Sequence, residues 1–119
     1  MRLKSMQIQA RKSDGITVLG IVGRMTRNEG YGTVKGTLGE LLADDDRQFV
    51  LNLAEVPYMD STCVGELVSA FITVRNNGGV LKLSAPTPRI RELLSVAKLD
   101  TVFEVYDSES AAIQSFSTP

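Results

Sequence analysis

The 119-residue chain contains no histidine and one cysteine, Cys63. Without histidine it lacks the usual general base, the commonest metal-ligating side chain and the group that most readily changes charge near neutrality. An enzyme is therefore not expected, and neither is a metal or a cofactor, because no spacing among the carboxylates and lysines marks a catalytic or ligating set. A lone cysteine forms no intrachain disulfide. No apolar run approaches the length of a membrane-spanning helix, and residues 1–6 lack the apolar centre of a signal peptide, so a cytoplasmic protein without membrane insertion is expected. An excess of one charge is missing too. With 13 basic and 14 acidic residues and a net charge of −1, no overall field favours nucleic acid or an anionic membrane.

What the chain does contain is an ordinary folded composition, 43% hydrophobic and 23% charged. Its length suits one domain, spanning 1–119 with 1–5 and 117–119 expected to fray. Residues 6–11 alternate weakly, Ser13-Asp14-Gly15 supplies a turn, and residues 16–22 are mostly apolar, which predicts a hairpin. Val34, Leu38, Leu41 and Leu42 fall on one face of a helix softened by glycines at 30, 32, 36 and 39 and ended by Asp44-Asp45-Asp46. Residues 48–53 read as a strand buried on both faces. A helix from Asp60 to the Asn76-Asn77-Gly78-Gly79 stop follows, then a strand over 80–85. Thr87 and Pro88 start another helix with Ile90, Leu93, Leu94 and Ala97 inward. Residues 102–105 read as the last strand, and Asp107 or Ser108 caps a final helix burying Ala112, Ile113 and Phe116. This order predicts an α/β fold: an N-terminal hairpin, then four β/α units with a mainly parallel sheet and helices mainly on one face. Its functional groups belong at the strands' carboxyl ends, where Pro57 to Thr62 would meet the loops after Val22 and Ala85.

The segment 56–68 is the centre of that plan. Asp60, Ser61 and Thr62 are helix-start residues, able to accept hydrogen bonds from the free N–H groups of a first turn. On a helical projection Cys63, Val64, Leu67, Val68, Ala70, Phe71 and Val74 form a core side with Ile72 at its edge. Thr62, Gly65, Glu66, Ser69 and Thr73 form a weakly charged opposite side, suited to a partner protein.

Other motifs are weighed against plainer readings. Gly30-Tyr31-Gly32-Thr33-Val34-Lys35-Gly36 can be written as a dinucleotide fingerprint, yet a loop separates it from the preceding strand, and a glycine-softened helix start is preferred. Cys63 projects inward and reads as a small hydrophobe. Asp44-Asp45-Asp46 lacks calcium-loop spacing, and Arg89, Arg91 and Lys98 read as an exposed helix face.

The run Tyr58-Met59-Asp60-Ser61-Thr62-Cys63-Val64-Gly65-Glu66-Leu67 resembles the Asp-Ser-Ser/Thr-Gly-Leu-Gly signature of anti-sigma factor antagonists in the STAS domain family. The likeness extends over the hairpin, the strand before the motif, Asn77-Gly78-Gly79 and Leu81-Lys82-Leu83. It implies that Ser61, with Thr62 as the lesser candidate, is phosphorylated by a cognate anti-sigma factor that is a serine kinase, that Asp60, Thr62 and Gly65 shape the turn, and that a phosphatase reverses the mark. It also implies release of a sigma factor by a monomer or weak dimer that touches no nucleic acid. Arg24, Thr26, Asn28, Thr62, Glu66, Ser69 and Thr73 are then the expected partner contacts. This sequence departs from the signature at Cys63, where the family has glycine, and at Arg24-Met25-Thr26, where it often has an acidic residue. Alternatives are a non-phosphorylated STAS scaffold or accessory subunit of a stress-signalling or lipid-transport complex, and a nucleotide binder using the glycines at 30, 32 and 36.

Overall fold

Asp14 and Gly15 both take positive φ, 53° and 80°, the backbone that a two-residue turn needs to match the twist of its flanking strands. They join β1 (Gln7–Ser13) to β2 (Ile16–Val22) in an antiparallel hairpin. The computed structural model describes residues 6–117, so the fraying expected of 1–5 and, within 117–119, of 118–119 lies outside the described residues, while Ser117 closes a turn with its N–H donating to the Gln114 carbonyl at 3.1 Å. Three parallel strands extend the hairpin: β3 (Gln48–Glu55), β4 (Val80–Ser84) and β5 (Val105–Tyr106), in the sheet order β1-β2-β3-β4-β5.

The near-continuous apolar run of β3 puts it mid-sheet, with Phe49, Val50, Leu51 and Leu53 fully buried. Alternation sends Leu19, Ile21, Phe49, Leu51, Leu53, Leu81 and Leu83 to one face. Three helices cover that face: α1 (Thr33–Ala43), α2 (Ser61–Asn76) and α3 (Pro88–Val96). Ile16, Val18 and Val50 point the other way and meet Ala112, Ile113 and Phe116 of α4 (Glu109–Ser115) and its C-terminal cap. Thr87 and Ser108 cap α3 and α4 by accepting the Ile90 and Ala111 N–H groups at 3.3 and 3.1 Å.

The last strand is shorter and later than the apolar run 102–105 predicts. Lys98 turns left-handed after α3, residues Leu99–Thr101 coil into a 3-10 turn, and the N–H groups of Val102 and Phe103 both donate to the Leu99 carbonyl. Coiling carries Phe103 into the core, where it meets Phe71 edge-on at 5.0 Å, and leaves Val105–Tyr106 to pair. Ala97 is the exposed C-cap of α3 and not part of its buried stripe.

Two glycines show opposite demands. Gly36 lies inside α1 with open space where a Cβ would go, whereas a Cβ on Gly79 would meet the Arg47 carbonyl oxygen at 2.6 Å and Val74 Cγ1 at 2.9 Å. Gly36→Ala should therefore raise stability by about 0.5–1 kcal/mol by urea denaturation. Gly79→Ala should lower it by about 1–3 kcal/mol. A destabilised Gly36→Ala would show that α1 is not regular at that turn.

Candidate functional site

The carboxyl ends of β2 and β3 are tied together by main-chain bonds. A register shift opposite Ile21, braced by the Ala54 N–H donating to Asn52 Oδ1 at 2.9 Å, lets β3 run on past β2. Beyond it Gly23 N–H donates to the Glu55 carbonyl (3.0 Å), Met25 N–H to Tyr58 (2.9 Å) and Asp60 N–H to Met25 (3.0 Å). The side chains of Met25 and Met59 go under the loops, both buried, and anchor them. The loops after β2 and β3 thus meet as expected. The third joins through the Thr87 hydroxyl, which donates to the Val56 carbonyl at 3.5 Å.

Asp60 holds this junction with both carboxylate oxygens. Oδ1 accepts the Cys63 N–H at 3.0 Å and so caps α2, while Oδ2 accepts the Arg27 N–H at 2.7 Å from the neighbouring loop. Hydrogen bonds to the charged form favour it, so the Arg27 N–H first and the Cys63 N–H next hold its pKa below the ordinary value of 3.8. Ser61, the first residue of α2, is exposed, and its hydroxyl has no hydrogen-bond partner among the described residues.

The structure keeps the expected core side of α2 and corrects one position on the other, Glu66. Buried positions are Cys63, Glu66, Leu67, Ala70 and Val74; Val64, Val68, Phe71, Thr62, Ser69 and Thr73 are half-buried; Ser61, Gly65 and Ile72 face outward. Glu66, expected to contact a partner, is only 4% exposed. Its Oε1 accepts the Gly32 N–H at 2.9 Å and its Oε2 the Lys35 N–H at 3.0 Å. The cause lies in α1, whose N-cap is Gly32 at φ 89°, with no side chain to satisfy its first N–H groups. Those groups take their acceptor from the adjacent helix, and the carboxylate turns inward to supply it. The glycine-rich stretch is therefore not a phosphate cradle, since a carboxylate already sits on its N–H groups.

Cys63 is fully buried, and burial first, with the Asp60 and Glu66 carboxylates adding, pushes its thiol up to about 12. Its sulfur fills the core where the family signature has only a hydrogen. The acidic side chain sought at 24–26 is present three positions later. Glu29 Oε1 accepts the Thr26 hydroxyl at 3.0 Å and lies 3.5 Å from Arg24 Nε, with Asn28 exposed at the tip.

Sequence reasoning missed the wall beside Ser61. A groove of about 360 Å³ between α2 and α3 is lined by Tyr58, Asp60, Ser61, Arg89, Leu93 and Val96, among others. The guanidinium groups of Arg24 and Arg89 lie 5.1 and 4.9 Å from the centre of the Tyr58 ring, and Val96 is 76% exposed. The signal was Tyr58 itself, an aromatic in the motif with arginines in both flanking loops' reach.

Comparison with known proteins agrees with this fold. The family model described as the STAS domain matches residues 7–112. A Thermotoga neapolitana protein, provisionally named an anti-sigma factor antagonist, is 30% identical over 80 residues, 67% of this chain and 71% of that one. The crystal structure of an anti-sigma factor antagonist from Mycobacterium paratuberculosis superposes with a TM-score of 0.83 at 20% identity, covering 93% of each chain. The Bacillus cell fate determinant SpoIIAA in its phosphorylated form superposes with a TM-score of 0.71 at 16% identity, over 92% of this chain and 99% of that one.

Glu66→Ala strips acceptors from the start of α1, and unfolding free energy should fall by about 1–3 kcal/mol; an unchanged value would mean that the Gly32 and Lys35 N–H groups find water at no cost. Asp60 gives a pH signature. Its folded-state pKa is depressed, so its charge stabilises fully above the ordinary value and the contribution is lost as pH falls through the folded value. Asp60→Asn should thus show a constant deficit from pH 5 to 7, about the neutral plateau, that shrinks below about pH 4. Parallel parent and variant curves down to acid unfolding would contradict the assignment.

Proposed function

The chain belongs to the STAS domain family, and from that premise we propose that it is an anti-sigma factor antagonist that docks through the Ser61 end of α2 and is switched off by phosphorylation of Ser61. The observation that carries this reading is the free, exposed hydroxyl on the first residue of a helix whose start is fixed twice over by Asp60. A kinase needs such a hydroxyl in reach, and a binding surface needs such a helix to be rigid. The relative SpoIIAA, solved in phosphorylated form, supports the modification.

The docking face follows the stripe of exposed Ser61, Gly65 and Ile72 with half-buried Val68 between them, which recurs at helical spacing. Thr62, Ser69 and Thr73 flank it, and Arg24, Thr26 and Asn28 in the loop extend it across Tyr58. Gly65 has open space above its backbone, so a partner can come close there, and Ile72 is 42% exposed, an apolar contact three turns along the helix, about 16 Å from Ser61. The partner is an anti-sigma factor with serine-kinase activity, and a phosphatase resets the switch. The chain itself works by binding, as a cytoplasmic protein, with no reaction of its own and no contact with nucleic acid. Among the described residues no helix is long and apolar enough to cross a membrane.

Phosphate on Ser61 adds about −1.5 to −2 charges at neutral pH. At an exposed helix start the fold tolerates it, while a surface fitted to a neutral hydroxyl does not; a loss of roughly 3 kcal/mol weakens binding more than a hundredfold. Incubation with ATP and the cognate kinase should add one phosphate, located on Ser61 by peptide mass spectrometry; a label elsewhere removes the assignment. Ser61→Asp should lose partner binding by calorimetry with its melting temperature nearly unchanged, and retained affinity would count against the switch. Ile72→Glu should weaken the same complex about tenfold or more, as a charge set into an apolar contact does. Wild-type affinity in that variant would move the docking face elsewhere.

A further inference from the structure

Resting on the reading of Ser61 as a phosphorylated residue, we propose that the phosphate is bound within the same chain by the guanidinium of Arg89, across the groove between α2 and α3. Both residues line that groove. The need for a cation there follows from the neighbours. Asp60 stands next in the chain as a fixed carboxylate, and the N–H group of Cys63, which would otherwise receive an anion at the helix start, is already held by it. Glu92 lines the same groove and adds a second acid. A dianion on Ser61 therefore meets negative charge along the chain, and the cations nearest it are the arginines stacked on Tyr58 and Arg27, whose N–H is held by Asp60 and which, unlike Arg89, does not line the groove.

Of the two on Tyr58, Arg24 already lies against Glu29 at 3.5 Å. Among the described residues Arg89 has no carboxylate within ion-pair distance, and its contact is the face of the Tyr58 ring at 4.9 Å. A guanidinium exchanges a ring face for a phosphate readily, because its fork of N–H donors matches two phosphate oxygens at once. The exchange draws Arg89 off Tyr58 and fills the groove. Phosphorylation then changes more than one hydroxyl: it neutralises the basic, aromatic wall beside it and withdraws that wall from a partner.

The test uses the full chain with phosphoserine inserted at position 61 during translation, so no kinase enters. The second ionisation of the phosphate is followed by ³¹P NMR in the parent, Arg89→Gln, Arg89→Lys and Arg91→Gln. Arg91 pairs with Asp107 at 2.7 Å and does not line the groove, which makes it the control. The parent should ionise below the free phosphoserine value of about 6. Arg89→Gln should raise that midpoint by about half a unit or more, Arg89→Lys should restore part of the difference, and Arg91→Gln should match the parent. Equal midpoints in parent and Arg89→Gln, or an equal rise in Arg91→Gln, would overturn the proposal. Thermal melts of each variant without phosphate confirm that the fold is intact. Failure of a kinase to label Ser61 would defeat the reading under Proposed function and leave this measurement standing, and the reverse also holds.

Discussion

The structure turns on the demand of helix starts for hydrogen-bond acceptors. Two helices begin at the carboxyl edge of the sheet within a few residues of the same junction, and each presents N–H groups that the helix itself cannot satisfy. Asp60 answers for α2 and, with its second oxygen, for the Arg27 N–H of the loop leading to α1. Glu66, on the next turn of α2, answers for α1 at Gly32 and Lys35. The pair of carboxylates on one helix therefore fixes the start of that helix, the loop beside it and the start of its neighbour.

That arrangement also decides what is left for other molecules. Because Asp60 takes the capping role and Glu66 is drawn inward, Ser61 keeps a free hydroxyl and the outward stripe of α2 carries no charge from its first three turns. Charge at the surface comes instead from the arginines on Tyr58, one in the loop after β2 and one in the first turn of α3. The proposed docking face is accordingly weakly apolar along the helix and basic at its rim. On the proposed function, a phosphate at Ser61 would change the rim more than the stripe, with the fold beneath held by main-chain bonds and buried methionines.

Much of this was legible in the sequence. The hairpin turn at Asp14-Gly15, the buried central strand and the caps at Asp60, Thr87 and Ser108 follow from local chemistry, because one residue's backbone preference or side-chain oxygen settles each. The motif at Asp60 and Ser61 named the region. The core side of α2 was read correctly and Glu66 was not, for a definite reason: a projection assigns a glutamate to solvent, and only the unmet N–H groups of another helix, distant in sequence, make its burial favourable. The segment 99–106 was misjudged similarly, since an apolar run does not reveal that Phe103 reaches the core through a 3-10 turn instead of along a strand.

Alternation of strand and helix, hydrophobic period and capping residues determined the elements, their order and the parallel sheet, all from contacts a few residues apart. The burial of Glu66, which carboxylate serves which helix, and the meeting of Tyr58 with Arg24 and Arg89 were decided by tertiary structure alone. These rest on groups 30 or more positions apart, as Gly32 and Glu66 are, and no local pattern encodes a partner that only folding brings within hydrogen-bond distance.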